Sequence, residues 1–236
     1  MQQDSPGKRR VAFFGGTFDP PHCGHLAIAR AARDALSLDA VLFAPVAAQP
    51  LKPEGSTTPY PDRVAMTELA IAGERGFEIS AIDAPDAAGH PNYTLHTLQK
   101  LHAQLPHAEL FCLIGADSFL MLRKWYGASE IPFAAHLVVA SRPGRHFHHL
   151  AAVLPPGLTA HPVKQIASAD TRIELEAYEL HNAAGQTARL FLLPGLDIEI
   201  SATGIREQLR GGAPAAPHAV VPAAVAEYIR EHGLYR

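Results

Sequence analysis

The stretch from Gly15 to His25, which reads GGTFDPPHCGH, decides the fold of this chain. The apolar run from Val11 to Phe14 comes directly before it and is typical of a buried strand in a parallel sheet. Apolar residues then recur at helical spacing from Leu26 to Leu36, which predicts a helix that begins near Gly24. The stretch is therefore expected to join a strand to a helix at the carboxyl edge of the sheet, where open α/β sheets bind ligands.

The residue types of this connection favour the binding of a polyphosphate. Gly15 and Gly16 leave backbone amides uncovered, and Thr17 adds a hydroxyl donor. His22 and His25 lie three residues apart, so their imidazoles share one face at the start of the helix. The N-terminus of a helix carries unpaired amides and a partial positive charge, which suits an anion. A metal pair built on the two histidines is disfavoured, because no second cluster at ligand spacing accompanies them.

Apolar segments and helical patterns alternate along the chain after this first unit. Strands are predicted at residues 40–44, 77–82, 110–114, 136–140 and 190–193, and helices at about 62–71, 94–105 and 221–235. Asp62 is expected to cap the first of these helices. Such alternation predicts right-handed βαβ units. The expected fold class is α/β, with a single Rossmann-like, doubly wound parallel sheet and helices on both faces.

One domain that spans residues 1–236 is the simplest organisation, because the sequence contains no internal repeat and no obvious linker. Residues 146–188 do not follow the alternation and are expected to form an insertion, such as a hairpin, or a lid. Residues 204–236 are expected to contain C-terminal helices.

Composition narrows the class of protein. Of the 236 residues, 47% are hydrophobic and 18% are charged, which indicates a folded globular chain. The net charge of −3 argues against a general nucleic-acid binder. With Cys23 and Cys112 as its two cysteines, and no apolar run long enough to span a bilayer, the chain is expected to be cytoplasmic and free of membrane partners. The sequence leaves open whether the chain forms a homo-oligomer.

A second anion site is predicted at residues 200–206, which read ISATGIR. Ser201 and Thr203 can cap a short helix that carries Arg206, so hydroxyls, helix amides and a guanidinium converge there. Taken alone, an ordinary capped helix with a surface arginine explains these residues equally well. Gly115 and Asp117 follow the strand at 110–114, so a glycine and a carboxylate are expected at the same edge of the sheet.

Residues 15–25 and 200–206 resemble the two signatures of the nucleotidyltransferase superfamily, T/S-F-D-P-x-H-x-G-H and I-S-S/A-T-x-I/V-R, and they occur in the right order. The resemblance implies that the first segment holds the triphosphate of ATP, with Gly16 and Phe18 on the adenylate side. The implied ATP-binding residues are Gly15, Gly16, Thr17, Phe18, His22, Gly24, His25, Gly115, Asp117, Ser201, Thr203 and Arg206. Among them, Thr17, His22, His25 and Arg206 are the implied catalytic residues.

Further segments resemble one family of this superfamily, the nicotinate-nucleotide adenylyltransferases of NAD synthesis. They are residues 92–94, 113–118, 124–126 and 228–235, and the resemblance covers nearly the whole chain apart from about residues 146–188. It implies that Trp125 stacks on a pyridine ring and that amides near Tyr93 and Thr94 receive a carboxylate. The implied mononucleotide-binding residues are Lys52, Tyr93, Thr94, Trp125 and Arg142. An ordinary core position is the alternative explanation for Trp125.

The resemblance implies adenylyl transfer from ATP to nicotinate mononucleotide by in-line attack, giving nicotinate adenine dinucleotide and pyrophosphate. Mg²⁺ is expected to accompany ATP and to be held mostly by substrate and water. One position departs from the family, which usually has histidine where this chain has Leu51. Nicotinamide mononucleotide and phosphopantetheine are alternative acceptors, and a non-catalytic ATP-binding sensor is an alternative class. A dinucleotide-dependent dehydrogenase and a P-loop kinase are disfavoured, because their glycine-rich motifs are absent from the sequence.

Overall fold

An eight-stranded sheet organises the computed structural model, which describes residues 8–51, 55–140, 150–167, 174–193, 200–211 and 220–236. Its strands are β1 (Arg10–Gly16), β2 (Ala40–Pro45), β3 (Phe77–Ile79), β4 (Glu109–Gly115), β5 (His136–Ala140), β6 (Thr159–Ala167), β7 (Glu174–His181) and β8 (Thr187–Leu193). The helices are α1 (Cys23–Leu36), α2 (Tyr60–Ile71), α3 (Thr94–Gln104), α4 (Ala116–Leu120), α5 (Ile131–Ala134), α6 (Leu150–Val153), α7 (Ala202–Arg210) and α8 (Ala223–Glu231).

The order of the strands places a topological switch point beside β1. The sheet runs β3-β2-β1-β4-β5-β8-β7-β6, so the chain moves outward from β1 in one direction and then resumes on the other side with β4. Strands β1, β2, β3, β4, β5 and β8 pair in parallel. Gly15 and Gly16 end β1, and Gly115 ends β4. A crevice is expected between these two carboxyl ends.

Helices cover both faces of the sheet. Phe14 belongs to the core layer that includes residues of α1, α2 and α8, whereas its neighbour Phe13 belongs to the layer that includes residues of α3 and α5. Because both faces are buried, the central strands are largely apolar, as in β4 from Leu110 to Ile114. The predicted α/β class and doubly wound sheet are confirmed.

The sheet departs from a wholly parallel one at a single edge. Strands β6 and β7 lie within the segment expected to be an insertion or a lid, and they extend the sheet antiparallel beyond β8. A tight turn at residues 182–186 joins β7 to β8, and so short a connection permits only antiparallel pairing. The role of this segment, like the single-domain organisation, stays a prediction.

Two local predictions were wrong. Asp62 does not cap α2, because the helix begins at Tyr60 with Pro59 at its N-cap, and Asp62 instead accepts a hydrogen bond from the Tyr228 hydroxyl at 2.9 Å. Strand β3 ends at Ile79 rather than at residue 82, since the chain turns at residues 81–84.

Across the described ranges, no helix is both long enough and apolar enough to cross a membrane. The cytoplasmic location and the homo-oligomer stay predictions.

Gly127 fixes the turn between Trp125 and α5, and we predict that Gly127→Ala destabilises the protein by about 2–4 kcal/mol. Its φ is +60°, and a Cβ there would collide with the Leu95 side chain of α3. The matched control is Gly185→Ala in the β7–β8 turn, where φ is +76° but no atom lies within 4 Å of the added Cβ. We expect the control to lose about 1 kcal/mol. Equal losses in urea unfolding would contradict this packing.

Candidate active site

A cleft of about 840 Å³ opens above the carboxyl ends of β1 and β4. Its lining includes the sequence-predicted residues Gly15, Gly16, Thr17, Phe18, His22, Gly24, His25, Tyr93, Thr94, Gly115, Asp117, Trp125, Ser201, Thr203 and Arg206. Lys52 and Arg142, also predicted, lie outside the described residues. The fold thus brings both predicted motifs and the residues between them to one space, while the role of each residue stays a prediction.

Gly15 and Gly16 let a ligand come close to the backbone. A Cβ at Gly15 would come to 2.5 Å from the Phe13 ring, and one at Gly16 would come to 3.1 Å from the Phe18 ring. A larger residue at Gly15 would therefore displace an aromatic side chain, and one at Gly16 would crowd its neighbour. Glycine at these two positions therefore leaves both aromatic rings undisturbed beside the cleft.

His22 and His25 form a stacked pair at the start of α1. Their ring centroids lie 3.6 Å apart, and the backbone amide of His22 donates to Nδ1 of His25 at 3.1 Å. Because His25 Nδ1 accepts, the proton of the neutral ring is on Nε2. Phe18 packs against His25 at 5.0 Å between centroids and holds a φ of +47°, which is uncommon for a residue other than glycine.

Both imidazoles of this pair are neutral near pH 7. Burial lowers the pKa of His22 from 6.5 to about 4. Burial, with a further contribution from His22, holds the pKa of His25 well below its ordinary value. His22 Nδ1 is also buried without a hydrogen-bond partner in the described part of the chain. The pair can thus offer ring N–H groups to an anion, but it brings no fixed positive charge.

Asp19 joins the loop after β1 to three other segments of the chain. Its side chain is buried, and its carboxylate accepts hydrogen bonds from the Thr57 amide at 2.8 Å and the Tyr235 hydroxyl at 2.6 Å. Its backbone carbonyl accepts a hydrogen bond from Nη1 of Arg206 at 2.7 Å. Sequence reasoning assigned Asp19 no role of its own, although a carboxylate inside a glycine- and proline-rich loop was a visible signal.

The buried Arg63 connects the loop after β1 to the segments that contain Val46 and Thr58. It is 1% exposed, and its Nη1 donates to the carbonyls of Thr17 at 2.7 Å and Val46 at 2.8 Å, while its Nε donates to that of Thr58 at 3.2 Å. Burial lowers the pKa of Arg63, and the nearby Asp19 opposes that effect. Sequence reasoning missed Arg63, because an arginine in an amphipathic helix carries no signal of burial.

The second predicted motif faces the first across the cleft. Ser201 caps α7, since its Oγ accepts a hydrogen bond from the Gly204 amide at 3.1 Å. Arg206 donates through Nη2 to Thr203 Oγ1 at 3.2 Å, in addition to its bond with Asp19. The guanidinium is therefore held at the edge of the first loop, and its role in binding an anion stays a prediction.

Aromatic and amide groups line the other end of the cleft. Trp125 is half-buried, packs against the core layer on the α3 face and also lines the cleft. Tyr93 is the N-cap of α3, and its ring lies 4.8 Å from that of Tyr126. Asn92 fixes the position of the chain before α3. Its backbone amide donates to the Ala48 carbonyl, and its side-chain Oδ1 accepts from the Ala48 backbone amide, both at 2.9 Å.

Two further lining residues were not assigned a role by sequence reasoning. Asp83 is buried and accepts a hydrogen bond from Thr97 Oγ1 at 2.6 Å, and burial raises the pKa of its carboxyl group. Gln49 accepts a hydrogen bond from the Thr17 hydroxyl at 3.2 Å through Oε1. Leu51, which departs from the family pattern, is exposed at the cleft and offers no hydrogen bond.

Comparison with known proteins gives the class of this site. The family model described as cytidylyltransferase-like matches residues 13–208. A protein of Herpetosiphon aurantiacus named "Probable nicotinate-nucleotide adenylyltransferase" is 36% identical over 227 residues, which are 96% of this chain and 98% of that protein. A protein of the same name from Gloeobacter violaceus is 37% identical over 226 residues, with 96% of each chain covered.

A solved structure shows the same fold at lower identity. Plasmodium falciparum nicotinic acid mononucleotide adenylyltransferase, complexed with NaAD, superposes with a TM-score of 0.68 over 96% of this chain and 97% of that chain, at 12% identity. The fold, the cleft and the cytidylyltransferase-like match define a nucleotidyltransferase. Within that class, the chain belongs to the family of nicotinate-nucleotide adenylyltransferases.

We predict that acid destabilises the protein through His22. The folded-state pKa of about 4 lies below the ordinary 6.5, so the unfolded chain binds the proton more readily. The contribution of His22 to the free energy of unfolding is fully present above pH 6.5. It is lost as the pH falls towards 4, and the loss is on the order of 3 kcal/mol. Urea unfolding of the wild type and of His22→Asn across this pH range measures the loss of unfolding free energy.

The His22→Asn variant is expected to show a shallower loss of unfolding free energy on acidification than the wild type. His102→Asn, which alters an exposed histidine near the end of α3, is the matched control and should follow the wild type. Parallel curves for the wild type and His22→Asn would show that His22 is not held neutral by burial.

Proposed function

We propose that this protein transfers the adenylyl group of ATP to nicotinate mononucleotide, releasing pyrophosphate and nicotinate adenine dinucleotide. One observation carries the proposal: the phosphate-binding loop after β1, the N-terminus of α7 and the aromatic groups near α3 all line one cleft. The first two form what we call the phosphate end, and the last forms the pyridine end. A cleft with these two ends suits two nucleotides that meet through their phosphates.

The phosphate end is suited to position the triphosphate and to stabilise its charge. The 5′-phosphate oxygen of the mononucleotide attacks the α-phosphorus of ATP, the bond to the β-phosphate oxygen breaks, and pyrophosphate leaves with the electron pair. No nucleophilic side chain takes part, so catalysis rests on alignment and on donors aimed at the phosphate oxygens. His25 Nε2–H, the loop amides and the Arg206 guanidinium supply such donors.

A divalent metal completes the charge balance, and nucleotidyltransferases of this kind typically use one. Among the described lining residues, Lys124 and Arg206 carry permanent positive charge, whereas the two imidazoles are neutral. The phosphate end is rich in nitrogen and hydroxyl donors, which suit phosphate oxygens, while Mg²⁺ prefers oxygen ligands. We therefore assign Mg²⁺ to the ATP phosphates and water, where it would neutralise charge on the triphosphate.

The pyridine end offers a ring surface and helix amides. The indole of Trp125 is suited to stack on an electron-poor ring. The first amides of α3, which follow the N-cap Tyr93, have no partner within the helix and can receive the carboxylate of nicotinate. A carboxylate accepts from such amides more strongly than a neutral carboxamide does.

A pyrophosphate-release assay with both substrates tests this reaction and the role of His25. We predict steady release by the wild type and a fall in kcat of about 10²–10³ for His25→Ala, by analogy with the loss of a single oxyanion donor. His102→Ala, on the exposed side of α3, is the control and should retain wild-type kcat. ATP binding by the wild type without pyrophosphate release would identify a non-catalytic sensor and refute the proposal.

The identity of the acceptor is tested by comparing kcat/KM for three compounds at saturating ATP. We expect nicotinate mononucleotide to exceed nicotinamide mononucleotide by about tenfold or more, because a charged carboxylate gains more from the amides of α3. Phosphopantetheine should show no turnover, since it has no ring to stack on Trp125. A preference for the nicotinamide form or for phosphopantetheine would reject nicotinate mononucleotide as the acceptor.

A further inference from the structure

Tyr235, which follows α8, is buried. It is 6% exposed, adopts a φ of +64° and packs with the core layer that includes α1 and α2. The turn after α8 directs it inward, with the Leu234 amide donating to the Ile229 carbonyl at 3.0 Å. A buried hydroxyl costs free energy unless it has a hydrogen-bond partner, so this burial calls for a physical reason.

The reason lies in the hydroxyl group of Tyr235. It donates to Oδ1 of Asp19 at 2.6 Å, across 216 positions of sequence. Burial and the adjacent carboxylate both raise the pKa of Tyr235, so the hydroxyl remains protonated and remains a donor. A hydrogen bond to a charged acceptor is stronger than one between two neutral groups.

Asp19 connects the Tyr235 hydroxyl to the phosphate end of the cleft. Its other carboxylate oxygen accepts from the amides of Thr57 at 2.8 Å and Thr58 at 3.4 Å, and its carbonyl holds Arg206 at 2.7 Å. Tyr235 itself does not line the cleft, whereas Asp19, Thr57 and Arg206 do. The hydrogen bond to Asp19 therefore connects Tyr235 directly to a residue of the cleft lining.

We propose that Tyr235 is a positioning residue for the phosphate end: through Asp19, it holds the loop after β1, the segment at residues 55–58 and the Arg206 guanidinium in the arrangement that binds a polyphosphate. The proposal rests on the proposed function in one respect, which is the assignment of phosphate groups to this end of the cleft. It adds that the segment after α8 takes part in substrate binding without touching the substrate.

The chain offers a matched control for this role. Tyr228, on α8, also donates its hydroxyl to a carboxylate of the protein body, Oδ1 of Asp62, at 2.9 Å. That bond joins α8 to α2, and neither residue lines the cleft. Tyr228→Phe and Tyr235→Phe each remove one hydroxyl and leave the ring in place, but they differ in whether the lost bond reaches the phosphate end.

The test is calorimetric titration of the full-length protein with inorganic pyrophosphate and, separately, with nicotinate mononucleotide. For Tyr235→Phe, we expect pyrophosphate to bind about five- to tenfold more weakly, with binding of the mononucleotide within about twofold of wild type. The apparent kcat/KM for ATP should fall by a similar factor, with the KM for the mononucleotide unchanged. Tyr228→Phe should leave all of these quantities at their wild-type values while lowering the melting temperature.

A double-mutant cycle keeps the proposal falsifiable if Tyr235→Phe also lowers stability. Combined with Arg206→Lys, the Tyr235→Phe change should weaken pyrophosphate binding by a smaller factor than it does alone, because both act on one arrangement. Additive effects, wild-type pyrophosphate binding by Tyr235→Phe, or equal losses in Tyr228→Phe would overturn the inference and leave the proposed function standing. A wild-type protein that binds neither pyrophosphate nor ATP would overturn both.

Discussion

A buried carboxylate is stable only when hydrogen-bond donors surround it, and Asp19 obtains its donors from segments that lie far apart in the chain. The Thr57 amide, the Tyr235 hydroxyl and, at the backbone carbonyl, the Arg206 guanidinium all meet at this one residue. Because each donor would lose its partner if the loop after β1 moved, the loop has one favoured position. Arg63, beneath it, fixes the carbonyls of the same loops.

This constraint supports our proposal that a loop whose imidazoles are neutral binds a polyphosphate. The stacked imidazoles of His22 and His25 are held neutral, so they contribute directed N–H groups rather than charge. Directed donors act only when their positions are fixed in advance, which the contacts of Asp19 and Arg63 provide. The permanent charge of Arg206, which α7 carries, is held beside the same loop by its bond to the Asp19 carbonyl.

The sequence predicted the parts of the fold whose signals are local. The apolar run at residues 11–14, the loop that follows it and the Ser201 cap each depend on residues close together in the chain, and the structure has them as expected. The cap assigned to Asp62 failed because Pro59 starts the helix earlier. The bonds of Tyr235 and Arg63 could not be predicted, because they join distant segments and neither residue type indicates a buried partner.

The proposed function requires that the neutral imidazoles of His22 and His25 bind the phosphates directly. Nitrogen-detected NMR of ¹⁵N-histidine-labelled protein, titrated with pyrophosphate and Mg²⁺, tests it most directly. We expect the ring signals of His22 and His25 to shift together and saturate, His25 to keep its proton on Nε2, and the signals of the exposed His102 to stay unchanged. Saturable binding that leaves both ring signals unmoved would contradict it.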